Sequence, residues 1–248
     1  MKPKLAIIGY GRLGRLAAHH LKKYFRVFVA DRKLITDPEK GVRVTSVAAA
    51  AQKPIIVLSV PIRALRGVLE IIAPLVKPGT LVCDTCAAKQ LPLQWMKRSL
   101  PRSVSILGTH PLFGPSSAKG GVAGKTVVVC PVRIGVGPLR SIIAQFERNG
   151  ITVKVMRPST HDRLIARSLF IAQYIGRALV RILPEDLGTA TDNSKLLAKI
   201  VASARHDSLE LFEDIYIYNR YTSSLPAALR REFTRLSRVL TRSRRKTP

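Results

Sequence analysis

Leu5-Ala6-Ile7-Ile8-Gly9-Tyr10-Gly11-Arg12-Leu13-Gly14 decides the fold: an apolar run breaks into three glycines and then resumes at helical spacing. The pattern predicts a strand, a tight turn and a helix. Gly9 lets the chain turn sharply out of the strand, Gly11 lets the backbone approach a pyrophosphate, and Gly14 lets the helix lie against the sheet. The helix start would face such an anion with free N–H groups and the positive end of its dipole. Glycines at this spacing also mark ordinary turns, so context carries the reading. The motif follows a strand-like run, and an acid, Asp31, closes the next one. Gly9, Tyr10, Gly11, Arg12, Leu13 and Gly14 are therefore candidates to hold a dinucleotide.

Working outward, residues 25–31 read as the second strand, ending on Asp31 with Arg32 and Lys33 behind it. A carboxylate there bonds the ribose hydroxyls of an adenosine, and a nearby arginine favours a 2′-phosphate. Repulsion between Asp31 and a phosphate favours NAD, with Arg32 keeping NADP open. Residues 54–61 and 80–84 are short apolar strands, and such strands alternating with helices indicate a parallel sheet covered on both faces. Ligands gather at the carboxyl ends of these strands, which brings in Ser59, Pro61 and Asp84. Ser59 and Asp84 could equally cap the helices that follow. Residues 103–108 form a further strand, leading into Thr109-His110-Pro111-Leu112-Phe113-Gly114-Pro115-Ser116-Ser117. Its prolines and glycine predict a rigid loop around His110. Residues 127–129 and 152–156 close the sheet. From Ser159 onward helical periodicity takes over, with helices expected over 159–182, 194–218 and 225–240. The fold class is α/β: a Rossmann-type dinucleotide-binding domain over residues 1–157, then an all-helical domain over 158–248.

Composition narrows the setting. With 248 residues and 46% hydrophobic content, the chain can bury a substantial core. The N-terminal apolar run stops at Gly9 and no stretch approaches a membrane span, so neither a secretory leader nor a membrane anchor is expected. Cys83, Cys86 and Cys130 are too few for a disulfide framework, which points to the cytoplasm. The Cys83–Cys86 pair has no second pair or clustered histidines, and it reads as packing rather than metal or redox chemistry. Against 15 acids stand 42 basic residues, a formal charge of +27. That excess attracts anions of every kind, nucleic acid included. Arg230 to Lys246 carries eight basic residues and the single acid Glu232. Without interleaved aromatics for base stacking, it reads as a solvated helix with a frayed tail rather than a nucleic-acid arm.

Several stretches together resemble the prephenate/arogenate dehydrogenase family of tyrosine biosynthesis, and most of all its plant-type, arogenate-using branch. They are the glycine turn, Ser59-Val60-Pro61, Asp84 to Lys89, His110 to Pro115, Val132-Arg133-Ile134-Gly135, His161-Asp162-Arg163, Ile175-Gly176-Arg177, and Leu211-Phe212 through Tyr218-Asn219. The resemblance implies a cofactor domain followed by a helical domain that dimerises. It implies hydride transfer from the carbinol carbon of a cyclohexadienol dicarboxylate to a nicotinamide, with loss of carbon dioxide and aromatisation. His110 would accept or share the carbinol proton, since histidine titrates near working pH. Arginine suits the carboxylates; Arg177 matches the family's Gly-Arg pair, Arg220 follows Asn219, and Ser117 and Gln173 complete the substrate candidates. Departures stand at Ala87, where the family usually has serine, and at Leu169 and Gln173, where it has glutamine and histidine. His161 would either cap its helix or take part in catalysis.

Overall fold

The computed structural model describes residues 1–118, 120–183 and 191–244, and the described chain separates into two compact units, Met1–His161 and Asp162–Pro248. In the first unit, strands β1 (Lys4–Ile8), β2 (Arg26–Ala30), β3 (Arg43–Val44), β4 (Ile55–Leu58), β5 (Leu81–Asp84), β6 (Ser105–Pro111), β7 (Thr126–Arg133) and β8 (Thr152–Val155) form one sheet in the order β3-β2-β1-β4-β5-β6-β7-β8. Helices α1 (Arg12–Leu21), α2 (Val47–Ala51), α3 (Ile62–Ile72), α4 (Gln90–Ser99) and α5 (Val136–Glu147) connect them. The strand order reverses at β1, where β2 and β4 flank it, and this is where an open parallel sheet leaves a crevice for a ligand.

All neighbouring strands run parallel except β6 and β7, which pair antiparallel. That pairing corrects two expectations. The sheet is not wholly parallel, and β6 does not stop at Gly108: Thr109, His110 and Pro111 pair with Val129, Val128 and Val127. The antiparallel partner supplies a ladder that the local sequence, rich in turn residues, does not announce. His110 is thus held by a sheet rather than by a proline-rich loop. In helix α1 the buried positions are Gly14 and Ala18.

Helix α6 (Pro158–Ile165) leads out of the first unit. It continues through a π-helical stretch, Ala166–Phe170, into α7 (Ile171–Leu179), and α8 (Asp192–His206), α9 (Leu209–Tyr218) and α10 (Leu225–Arg244) follow. The helix expected over 194–218 is therefore two. Asp207 is extended, and Ser208 caps α9 by accepting a hydrogen bond from the Leu211 amide at 3.1 Å. Phe170 is the centre of this unit's core, fully buried with Phe212 and Tyr216 stacked on it at 5.4 and 5.8 Å. Burying such a ring contributes roughly 1.5–3 kcal/mol. Helix α10 extends beyond the expected end at Leu240 to Arg244 and buries none of its residues. Arg245 and Lys246 lie outside the described residues.

Candidate active site

The glycine turn has the geometry its spacing implies. Gly9 sits at φ +99°, and a Cβ there would lie 2.2 Å from the Ser59 carbonyl oxygen. A Cβ on Gly14 would lie 2.0 Å from the Gly9 carbonyl oxygen, so α1 packs against the turn itself. Gly11 differs, since a Cβ there would meet nothing within 4 Å. Its surface is open, as backbone contact with a pyrophosphate requires. Asp31 is held by two backbone amides, Tyr10 at 2.6 Å and Lys33 at 2.9 Å, one on each carboxylate oxygen. Arg32 is exposed beside it. Arg12 donates to the Ser116 hydroxyl at 3.2 Å, and Leu13 lies half-buried in the first turn of α1.

Because β1, β4, β5 and β6 run parallel, Gly9, Ser59, Asp84 and His110 fall along one edge of the sheet. Capping does not account for Ser59 or Asp84. Pro61, not Ser59, occupies the N-cap of α3, and the buried Ser59 hydroxyl has no hydrogen-bond partner among the described residues. Asp84 is fully buried in an ion pair with Lys89, itself fully buried. The same carboxylate oxygen accepts from the Cys86 amide at 3.0 Å, while the other oxygen has no partner among the described residues. Two orphaned polar atoms at the strand ends, an open glycine face and a fixed Asp31 fit a bound nicotinamide dinucleotide. Removing either member of the Asp84–Lys89 pair would strand a buried charge, at a cost of about 3–5 kcal/mol. Burial, with the charge of Asp84, pushes the Cys83 thiol up to about 12, so it stays protonated and inert.

His110, 7% exposed, lies two residues beyond Gly108, the register partner of Asp84. Thr109 ties the strands together by donating to the Asp84 carbonyl at 2.6 Å. The His110 Nδ1 lies 2.8 Å from the Nε2 of His161, which is 1% exposed. His161 therefore does not serve as a cap; it is the immediate partner of His110. Burial first, then the neighbouring His161 and Lys89, hold His110 well below the usual histidine pKa of 6.5. The ring is neutral near pH 7. In the tautomer whose Nδ1–H donates to His161, Nε2 of His110 is the proton acceptor; in the other, His161 donates to Nδ1.

The second unit holds the other candidates. Gln173 is buried and donates to the Asp207 carboxylate at 2.7 Å. Arg177 donates to the carbonyls of Asp207 and Ser208, both at 2.8 Å, and its guanidinium lies over the Phe212 ring. The structure thus engages the arginine of the Gly-Arg pair in holding the α8–α9 junction. Its neighbour Gly176 lets α7 approach α8, since a Cβ would come within 2.9 Å of the Ile200 carbonyl oxygen. Arg220 is exposed and lines a concave pocket with Arg163 and Arg167. Ser117, in the first unit, exchanges hydrogen bonds with the backbone of Gly114. The sequence reading missed the His110–His161 contact and the Asp84–Lys89 pair; the His161-Asp162 motif and the Asp84 to Lys89 segment were their visible traces.

Residues 36–148 match the model of a family described as prephenate dehydrogenase, nucleotide-binding domain. The chain is 29% identical over 228 residues to arogenate dehydrogenase 1, chloroplastic, of Arabidopsis thaliana, spanning 87% of this chain and 36% of that protein. In sequence the chain is thus similar to prephenate and arogenate dehydrogenases. A second relative, the probable arogenate/prephenate dehydrogenase of Methanocaldococcus jannaschii, is 26% identical over 227 residues, 85% of this chain and 50% of that one. The chain thus spans half or less of the length of these curated family members. In fold it is similar to a prephenate dehydrogenase from A. aeolicus solved with hydroxyphenyl propionate and NAD+. The TM-score is 0.74 at 18% identity, over 99% of this chain and 93% of that one. Among the described residues, no helix is long and apolar enough to cross a membrane, and no group of three or more His, Cys, Asp or Glu could hold a metal ion.

Proposed function

We propose that this chain is a nicotinamide-dependent dehydrogenase that oxidatively decarboxylates arogenate to tyrosine, or prephenate to 4-hydroxyphenylpyruvate. The observation that carries this reading is the buried, neutral His110 bonded to His161 on the sheet edge that also bears the glycine turn. The names of the relatives support the substrate class. When bound, the nicotinamide takes up the hydride from the carbinol carbon. His110 accepts the carbinol proton at Nε2, and His161 fixes the ring so that this nitrogen stays deprotonated. Asp84 and Lys89 pair with each other in the interior beside His110's strand, and the charge of Lys89 helps hold His110 neutral. Loss of carbon dioxide makes the ring aromatic and supplies the driving force.

Residues 9–14, Ser59, Pro61 and Asp84 hold the cofactor, within a domain spanning 1–157. Fixed by two amides, the Asp31 carboxylate is placed to accept from ribose hydroxyls and to repel a 2′-phosphate, so NAD is the preferred cofactor over NADP. In the helical domain, 158–248, Gln173 and Arg177 shape the substrate side, and Arg220, whose guanidinium lies over the Tyr221 ring, meets a substrate carboxylate. Exposed Leu209, Ile217, Phe233 and Leu240 on α9 and α10 support pairing of two copies through this domain. Three buried cysteines, none in a disulfide among the described residues, suit the reducing cytoplasm.

Purified protein assayed with arogenate and prephenate, each with NAD and with NADP, tests the reading. Turnover of one or both, with NAD the better cofactor, is the expected outcome. Binding of NAD without turnover of either substrate would leave the cofactor site standing and remove the reaction.

A further inference from the structure

The helical unit holds a cluster that the reaction outlined above leaves largely unused. Arg163 in α6, Arg167 in the π-helical stretch and Arg220 after α9 line one pocket with Tyr221, Ser224 and Leu225. Its volume is about 410 Å3, room for a small organic molecule. Among the described residues no carboxylate pairs with any of the three guanidiniums. Acids elsewhere in this unit are engaged with other partners: Asp192 with Lys195, Glu232 with Arg235, and Asp207 with Gln173. Arg163 and Arg220 instead share the ring of Tyr221, at 5.4 and 5.7 Å from its centroid.

The scaffold under these side chains is fixed. Asn219 is fully buried; its amide donates to the Asp162 carbonyl at 2.7 Å, and its own side-chain oxygen accepts from the Tyr221 amide at 3.1 Å. Thr222, also fully buried, donates to the Tyr216 carbonyl at 2.8 Å. The residue before Arg163 is thus tied to the residue before Arg220, and the two guanidiniums are presented together. Three cations brought into one concavity repel each other unless an anion joins them. Guanidinium forks match the planar oxygens of a carboxylate, and the ring of Tyr221 with Leu225 offers an apolar wall.

We propose that Arg163, Arg167 and Arg220 form a binding site for a small organic acid, with Ser224 as a further donor and Tyr221 and Leu225 against the acid's apolar body. The acid has two possible sources: the dicarboxylate substrate, if the dehydrogenase reading above holds, or a separate organic acid that binds here on its own. The site itself does not depend on that reading.

Calorimetric titration of the whole protein with malonate at low salt tests it. Wild type should bind, and an Arg163→Gln/Arg167→Gln/Arg220→Gln variant should bind about tenfold more weakly or worse, as the loss of charge-assisted bonds implies. Circular dichroism checks that the variant folds; Arg220→Gln alone serves if it does not. An Arg231→Gln/Arg238→Gln/Arg242→Gln variant, which removes the same charge from exposed positions of α10, should bind malonate like wild type. No binding by wild type, equal binding by wild type and the pocket variant, or equal loss in the α10 variant would overturn the site. Malonate that competes with arogenate or prephenate, with KM raised and kcat kept in the pocket variant, identifies the substrate as the acid. Malonate binding that leaves KM untouched identifies a separate acid. Should the protein turn over neither substrate, the titration still decides the site.

Discussion

At the scale of single residues, His110 and His161 bear the chemical argument. If His110 accepts the carbinol proton, its effect is larger in the transition state than in the ground state, so His110→Asn should lower kcat by about 100- to 10,000-fold. NAD affinity should stay near wild type. Turnover within a few-fold of wild type, together with lower thermal stability, would reduce His110 to a structural role. The pH dependence follows from its depressed pKa. Between 6.5 and the lower folded-state value, the unfolded chain binds a proton that the folded chain refuses, so stability falls as pH drops through that window. The acid limb of kcat/KM should lie below 6.5 for the same reason. His161→Gln removes a neighbour that lowers the His110 pKa, so the limb should move up towards 6.5. A limb that stays in place would make His161 a packing residue only. The sequence announces His110 through its proline-flanked motif, but its partner is 51 positions away. Nothing local links the two, because the contact exists only once β6 and α6 are in place.

At the scale of elements, the glycine turn was the most legible feature, since strand, turn and helix are all decided within ten residues. Its glycines are not equivalent, and that difference is testable. Gly11 has φ −73° and open space where a Cβ would stand, so Gly11→Ala should leave the thermal midpoint near wild type. A methyl group facing the pyrophosphate should still weaken NAD binding by about tenfold or more, the scale of one lost phosphate–amide contact. Gly14→Ala drives its Cβ into the Gly9 carbonyl and should lower both stability and NAD affinity. Unchanged NAD binding in Gly11→Ala would move the cofactor away from this turn. Elements set by distant partners were less legible. Strand β6 runs on through Pro111 because β7 pairs with it, and the break between α8 and α9 rests on the Ser208 cap, whose short polar side chain reads equally well as an exposed helical position.

At the scale of the whole molecule, the charge of +27 asks whether anion binding is general or confined to sites. Helix α10 presents an exposed basic surface: Arg230, Arg231, Arg235, Arg238, Arg242 and Arg244 project from it, and among the described residues only Arg235 is neutralised locally, by Glu232 at 2.8 Å. Exposed Phe233, Leu236 and Leu240 run along the same helix, but no aromatic ladder accompanies the arginines for base stacking. Contact with nucleic acid through such a surface is a matter of phosphates and counterions. Truncation after Leu240 removes Arg242, Arg244, Arg245 and Lys246. If all four meet phosphates, the slope of log K against log salt for duplex DNA should fall by about 3.6, at roughly 0.9 per contact. Turnover should be largely unchanged, because every proposed catalytic and cofactor residue lies before this point. DNA retention measured at several salt concentrations, for full-length and truncated protein, gives both slopes directly. Binding that persists at high salt and prefers one sequence would mean direct base recognition, and the basic helix would then be a nucleic-acid site in its own right rather than a diffuse cation.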